Sequence, residues 1–227
     1  LLSLTRHIRR AAMYQREHRW PGEMDSWAGV ELYGLTMGIV GYGSVGRQIA
    51  RLAQALGMKI LACKRRPEQH ADDTFLLPGT GDPEGTIPAA YYGIDRLREM
   101  LAQSDVVVIT LPGTPHTREL IGVNELAALP RHAWLINVGR GAVIDESSLI
   151  QALRDGKLAG AALDVFTQEP LPAESPLWDL DNVLITPHIA SWTTNYPRHC
   201  AAALIENLRR NSLGLPLINV IDKQLLY

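Results

Sequence analysis

Three stretches of this 227-residue chain carry side chains that move protons or hold anions: Asn137-Val138-Gly139-Arg140-Gly141, Asp164-Val165-Phe166-Thr167-Gln168-Glu169-Pro170 and Thr186-Pro187-His188-Ile189-Ala190-Ser191. Imidazole titrates near neutral pH and exchanges protons readily. A guanidinium grips oxyanions through paired, charge-assisted hydrogen bonds. Arg140, a carboxylate and His188 brought together would make a catalytic site. A fourth stretch, Gly41-Tyr42-Gly43-Ser44-Val45-Gly46, has the spacing of a dinucleotide loop. There Gly41 permits the tight turn, Gly43 lets backbone approach a pyrophosphate, and Gly46 allows close helix–strand packing, with Ser44 and Val45 opening the helix.

The elements that would position these residues are short apolar runs alternating with helical segments. Strands are expected over Leu35–Val40, Lys59–Cys63, Val106–Leu111, Trp134–Val138, Ala161–Val165 and Val183–Thr186, several of them apolar on both faces. Such runs belong in a sheet covered on both sides. Helices are expected over Val45–Leu56, Ile94–Ala102, and from Asp145 as cap to Gly156 as stop. The repeated strand–helix order predicts an α/β fold with a doubly wound parallel sheet of the Rossmann type, in which all four stretches lie beyond the carboxyl ends of strands. An amphipathic helix is expected from Leu1 to Trp20, and another over Pro197–Leu213 stopped by Gly214-Leu215-Pro216. Between the second strand and Ile94, the Pro-, Gly- and Asp-rich stretch Pro67–Ala90 reads as a long surface excursion.

The second strand ends in Cys63-Lys64-Arg65-Arg66, where an NAD-specific site would place a carboxylate for the ribose diol. A guanidinium there favours a 2′-phosphate. NADP is therefore the expected cofactor, with Arg65 the principal contact, Lys64 and Arg66 in support, and NAD possible. Cys63 and Cys200 lack metal-ligand spacing, so neither a zinc site nor a disulfide framework is expected. The net charge of −2 argues against nucleic acid, and no apolar run is long enough for a membrane span. A cytoplasmic location fits. The remaining histidines, at 7, 18, 70, 116, 132 and 199, read as surface residues without a carboxylate arranged around them.

With its four stretches in this order and at these spacings, the chain resembles the D-isomer-specific 2-hydroxyacid dehydrogenases, a group that includes glyoxylate/hydroxypyruvate reductases and phosphoglycerate dehydrogenases. The resemblance covers almost the whole sequence. It implies hydride transfer between NAD(P)H and a small 2-keto acid or D-2-hydroxy acid. On that basis His188 is the general acid/base, Glu169 bonds the other ring nitrogen and stabilises the charged imidazole, and Arg140 binds and polarises the substrate. Asp164 would accept from the nicotinamide carboxamide, and Leu111, Pro112, Val138 and Gly139 would line the dinucleotide.

Family members begin with a substrate domain that has no counterpart here, and the chain starts at Leu1 rather than Met. The expectation is a partial product. Residues 1–24 would be the crossover helix from the substrate domain, 25–192 the dinucleotide-binding domain, and 193–227 a helix and tail returning to an incomplete second domain. Apolar stripes on both flanking helices would lie exposed, and a homodimer is expected. Two other readings stay open: a non-catalytic NAD(P)-binding sensor or corepressor on the same scaffold, and an inactive fragment. A short-chain dehydrogenase is disfavoured, because the chain has no Tyr-x-x-x-Lys pair.

Overall fold

The computed structural model describes residues 1–23, 25–71 and 75–223. Its centre is a sheet of seven strands, all parallel: β1 Thr36–Val40, β2 Lys59–Cys63, β3 Ala90–Tyr92, β4 Val106–Ile109, β5 Trp134–Asn137, β6 Gly160–Leu163 and β7 Val183–Ile185. The helices are α1 Leu2–Thr5, α2 Ile8–Arg16, α3 Ser44–Ala55, α4 Leu97–Leu101, α5 Val123–Ala128, α6 Glu146–Arg154 and α7 Tyr196–Ser212. Strand order is β3-β2-β1-β4-β5-β6-β7. Succession therefore reverses between β1 and β4, opening a crevice at the carboxyl ends of the strands.

The strands hold because side chains alternate between two separately packed faces. In β4, Val107 and Ile109 join one core with Leu135, Leu149 and Leu153, while Val106 and Val108 join the other with Met37, Ile39 and Ala50. The doubly wound sheet expected from the sequence is present, with six strands where the apolar runs place them. Two short elements escaped the pattern. Strand β3 is a three-residue edge, formed because Lys64 N donates to Tyr92 O at 3.1 Å and Tyr92 is buried. Helix α5 has six residues and is held at its start by Glu125, whose carboxylate accepts from Gly122 N at 3.2 Å.

The opening helix also differs from expectation. It divides into α1 and α2 at His7, whose φ is 51°. Thr5, fully buried, uses its carbonyl to accept from Val30 N at 2.9 Å, so the chain entering the sheet crosses the first helix at this point. Helix α2 ends at Arg16, short of Trp20. It is tied to the far edge of the sheet by Arg9, which donates to Leu180 O at 2.8 Å and Val183 O at 2.7 Å. The closing helix α7 buries no residue, and Leu204, Ile205 and Leu208 are each more than 60% exposed. Among the described residues, no helix is long and apolar enough to cross a membrane.

The excursion after β2 is fastened from below. Arg47, one residue past the glycine loop in α3, is fully buried, donates to His70 O at 2.6 Å and to Asp82 O, and stacks its guanidinium 4.9 Å from the Tyr42 ring. Asp82 in turn accepts from Tyr42 Oη at 2.7 Å, Thr86 N at 3.0 Å and Ile87 N at 3.1 Å. Burial pushes the Asp82 carboxyl up, but the hydrogen bonds from Tyr42, Thr86 and Ile87 and the Arg47 charge outweigh it and hold it below the usual carboxylate range. Asp82→Ala removes the carboxylate that Tyr42 Oη, Thr86 N and Ile87 N donate to, and an expected loss of about 1–3 kcal/mol is to be read from the urea midpoint. Because the folded-state value is depressed, this contribution is present at neutral pH and disappears as pH falls through it. The midpoints of parent and variant should therefore converge in acid.

Candidate active site

The glycine loop follows β1 into the crevice. Gly41 has φ +100°, a conformation that strains any residue with a Cβ, and its carbonyl accepts from Thr110 Oγ1 at 2.5 Å. A Cβ on Gly46 would run into the carbonyl of Gly41, so α3 packs directly on the turn. Gly43, by contrast, has open space where its Cβ would be and caps α3 with no side chain among the described residues bonding the first N–H groups. Those donors and the positive end of the helix dipole make an anion site. The loop opens on a cleft of about 700 Å³ lined by Gly41, Gly43, Lys64, Arg65, Arg66, Leu111 and Pro112, together with Gln69, Ile94, His116, Thr117 and Leu120. Lys64 Nζ donates to Gln69 O at 2.6 Å, which draws the start of the excursion over the basic run. The helix start exposed at residues 43–45 at one end and a cationic corner at the other suit the pyrophosphate and the phosphorylated ribose of a dinucleotide.

Not every residue expected to contact the dinucleotide is on that wall. Ser44 and Val45 are exposed at the helix start, outside the cleft lining. Val138 and Gly139 lie behind it: a Cβ on Gly139 would stand 2.6 Å from Leu111 O, so the two loops touch backbone to backbone.

A second cleft, about 690 Å³, adjoins the first and shares Thr114 with it. Arg140, Glu169 and His188 all line it, with Gly113, Arg118, Gly141 and Phe166. His188 Nδ1 and Glu169 Oε2 are 2.7 Å apart, while Glu169 Oε1 accepts from Phe166 N at 2.9 Å. The carboxylate is thus fixed at both oxygens, and Nε2 is the imidazole nitrogen left to face a substrate. Burial pushes Glu169 up, but hydrogen bonds from His188 and Phe166 N, with the His188 and Arg140 charges, bring it below the usual carboxylate range. His188 itself has φ 54°, an uncommon conformation for a residue with a side chain, and its N–H donates to Asp164 O at 2.9 Å.

Asp164 is the anchor of that loop. Its buried carboxylate accepts from Thr186 Oγ1 at 2.5 Å, Ile189 N at 3.0 Å and Ala190 N at 2.9 Å, which over-determines the strained turn carrying His188. Asn137 does the equivalent for Arg140. Buried at the end of β5, it donates through Nδ2 to Arg140 O at 3.0 Å and accepts from Gly139 N at 3.1 Å. Arg140 lays its stem over Gly113 and donates from Nη1 to Gly139 O at 2.7 Å.

Between the two loops, Gly141 leaves no room: a Cβ there would overlap the backbone of Phe166 and Thr167. Gly141→Ala must push apart the segments that carry Arg140 and Glu169. We expect a destabilisation of about 2 kcal/mol or more with loss of the 2.7 Å His188–Glu169 contact, checked by thermal unfolding and by histidine ring NMR.

Several contributors gave little sequence signal. Thr114 and Thr117 form a hydrogen-bonded turn over the shared wall, and His116, expected on the plain surface, borders the dinucleotide cleft. His132 departs from expectation too, since its Nε2 lies 2.8 Å from Asp105 Oδ1. It sits at the amino-terminal edge of the sheet, away from both clefts.

The reversed strand order and the open start of α3 define a dinucleotide-binding domain of the doubly wound class. The family model for the "D-isomer specific 2-hydroxyacid dehydrogenase, NAD binding domain" matches residues 1–190, and the chain belongs to that family. A curated relative, glyoxylate/hydroxypyruvate reductase B of Yersinia pestis (strain Pestoides F), is 37% identical over 228 aligned residues, covering 100% of this chain and 65% of that protein. The chain thus spans just under two thirds of the length of that relative. Among solved structures, a D-isomer specific 2-hydroxyacid dehydrogenase from Xanthobacter autotrophicus Py2, in complex with NADPH and MES, is 38% identical with a TM-score of 0.78, covering all of this chain and 85% of the other. An NADPH-dependent glyoxylate/hydroxypyruvate reductase from Sinorhizobium meliloti, in complex with NADP and sulfate, is 31% identical with a TM-score of 0.77, covering all of this chain and 66% of the other.

Proposed function

We propose that this chain is the dinucleotide-binding and catalytic part of an NADPH-dependent reductase of small 2-keto acids, yielding D-2-hydroxy acids. The observation that carries the reading is the His188–Glu169 pair at 2.7 Å on a cleft shared with Arg140, contiguous with the glycine-loop cleft. Bound in that cleft, NADPH supplies the hydride. Gly41 and Gly43, with Ser44 and Val45 at the helix start, hold its pyrophosphate, and Gly46 lets α3 pack close behind them; Leu111 and Pro112 frame it, with Val138 and Gly139 backing that wall. Lys64, Arg65 and Arg66 hold the 2′-phosphate, a grip that favours NADP while leaving NAD usable.

Arg140 binds the substrate carboxylate and keto oxygen, turning the carbonyl carbon toward the nicotinamide and polarising it. His188 gives its Nε2 proton to the developing alkoxide, and Glu169 holds the ring in place and stabilises its cationic form. Asp164, besides anchoring the 186–190 loop, has one lone-pair site on Oδ2 left for the carboxamide. Residues 1–24 and 193–227 flank the nucleotide domain 25–192 and serve to meet a substrate domain. The exposed Leu2, Ile8 and Met13 beside the entry to the sheet support a homodimer, and the ordinary charge and cysteine content support a cytoplasmic site of action. Light scattering should give twice the 25.1 kDa chain mass. Titrating NADPH and NADH against nicotinamide fluorescence, then adding glyoxylate or hydroxypyruvate, tests the rest. Tighter NADPH binding followed by consumption of the reduced cofactor is expected, and equal affinity for both cofactors with no consumption would remove the reading.

A further inference from the structure

The catalytic cleft carries a second guanidinium that the proposed reaction does not use. Arg118 lines the same cavity as Arg140, Glu169 and His188. It ends a tightly held turn: Thr117 Oγ1 donates to Pro112 O at 2.7 Å and accepts from Thr114 N at 2.8 Å, and Arg118 N donates to Thr114 O at 3.0 Å. The next residues fasten that turn to the loop after Arg140, with Glu119 N donating to Ala142 O at 2.8 Å and Ile121 N to Val143 O at 3.0 Å. The backbones bearing the two arginines are therefore held in fixed relation.

The two guanidiniums differ in engagement. That of Arg140 is held against Gly139 O at 2.7 Å, whereas among the described residues that of Arg118 has no hydrogen-bond or ion-pair partner. Among the described residues, the only carboxylate on the cleft lining is Glu169, and it is committed to His188 and Phe166 N. Two cationic side chains thus face one engaged carboxylate, while one guanidinium is enough for the carboxylate that every 2-keto acid carries. We propose that Arg118 is a specificity-determining residue that binds a second anionic group, so that the cleft prefers dicarboxylic 2-keto acids to monocarboxylic ones of the same length. This rests on the reading of the cleft as a 2-keto-acid site. A neutral distal group leaves Arg118 hydrated and costs little, so monocarboxylates still react; a distal carboxylate adds a second charge-assisted contact.

The test compares oxaloacetate with 2-oxobutyrate, which share a chain length and differ in the distal carboxylate, for the parent chain, Arg118→Gln and Arg118→Lys. The parent should favour oxaloacetate in kcat/KM by about tenfold or more. Arg118→Gln should raise the oxaloacetate KM by about tenfold with little change in kcat, leave 2-oxobutyrate almost untouched, and be partly rescued by lysine. An equal effect on both substrates, or a weakened NADPH affinity, overturns the proposal. Should the parent reduce no 2-keto acid, the functional reading fails on its own account, and binding of D-malate to the NADPH-loaded chain decides for Arg118: lost in Arg118→Gln, the anion subsite stands; equal in both, it falls.

Discussion

Replacing His188 by alanine is expected to lower turnover of 2-keto acids by about 10²–10⁴-fold, the usual worth of a positioned proton donor, while leaving NADPH affinity unchanged. The separation follows from the geometry. His188 lines the cleft that holds Arg140 and Glu169, and none of the residues lining the dinucleotide cleft is His188 or bonded to its ring. Its loop is anchored by Asp164 through Thr186 Oγ1, Ile189 N and Ala190 N, so deleting the imidazole leaves the backbone support in place. Single-turnover rates together with a fluorescence titration of NADPH read the two quantities separately. Glu169→Gln should fall between parent and His188→Ala, because it keeps a hydrogen-bond acceptor for the ring but loses the charge that stabilises imidazolium.

The second large effect is on cofactor choice. Arg65→Asp should weaken NADPH binding by about 10–100-fold, the loss of one charge-assisted phosphate contact made worse by like-charge repulsion. NADH should be affected less or improved, since a carboxylate at this position accepts from the ribose diol. The structural ground is the placement of Lys64, Arg65 and Arg66 on the wall of the cleft that the glycine loop opens. Competition titrations of NADPH and NADH measure the ratio. An unchanged ratio would show that the three cations serve only the excursion after β2, to which Lys64 is already bonded through Gln69 O.

Much of this architecture was legible because it is local. Six strands are short apolar runs, several of them apolar on both faces, and such runs have few alternatives to a covered parallel sheet. The glycine loop was legible because each glycine answers a distinct steric demand: a positive φ at Gly41, open space at Gly43, contact with a carbonyl at Gly46. What escaped was set by long-range contacts. Strand β3 exists through its pairing with β2, and the division of the opening helix at His7 follows from a crossing segment more than twenty residues away at Val30. The Arg47–Asp82 link spans 35 positions and leaves no periodic trace, so the excursion read as surface where it is partly fastened to α3. Within the site, Arg140, Glu169 and His188 were readable from their motifs, whereas Asn137 and Asp164 act as supports only because loops from different strands converge on them.

The most direct test of the central claim is to incubate the chain with NADPH and hydroxypyruvate or glyoxylate, and to quantify the oxidised cofactor against the hydroxy acid formed. Chiral chromatography of the hydroxypyruvate product belongs to the same experiment. The account predicts one hydroxy acid per NADPH consumed, of D configuration, with activity lost in His188→Ala. NADPH bound with no hydroxy acid formed, both by the chain alone and by the chain joined to a relative's preceding substrate domain, would contradict it and leave a nucleotide-binding protein without this chemistry.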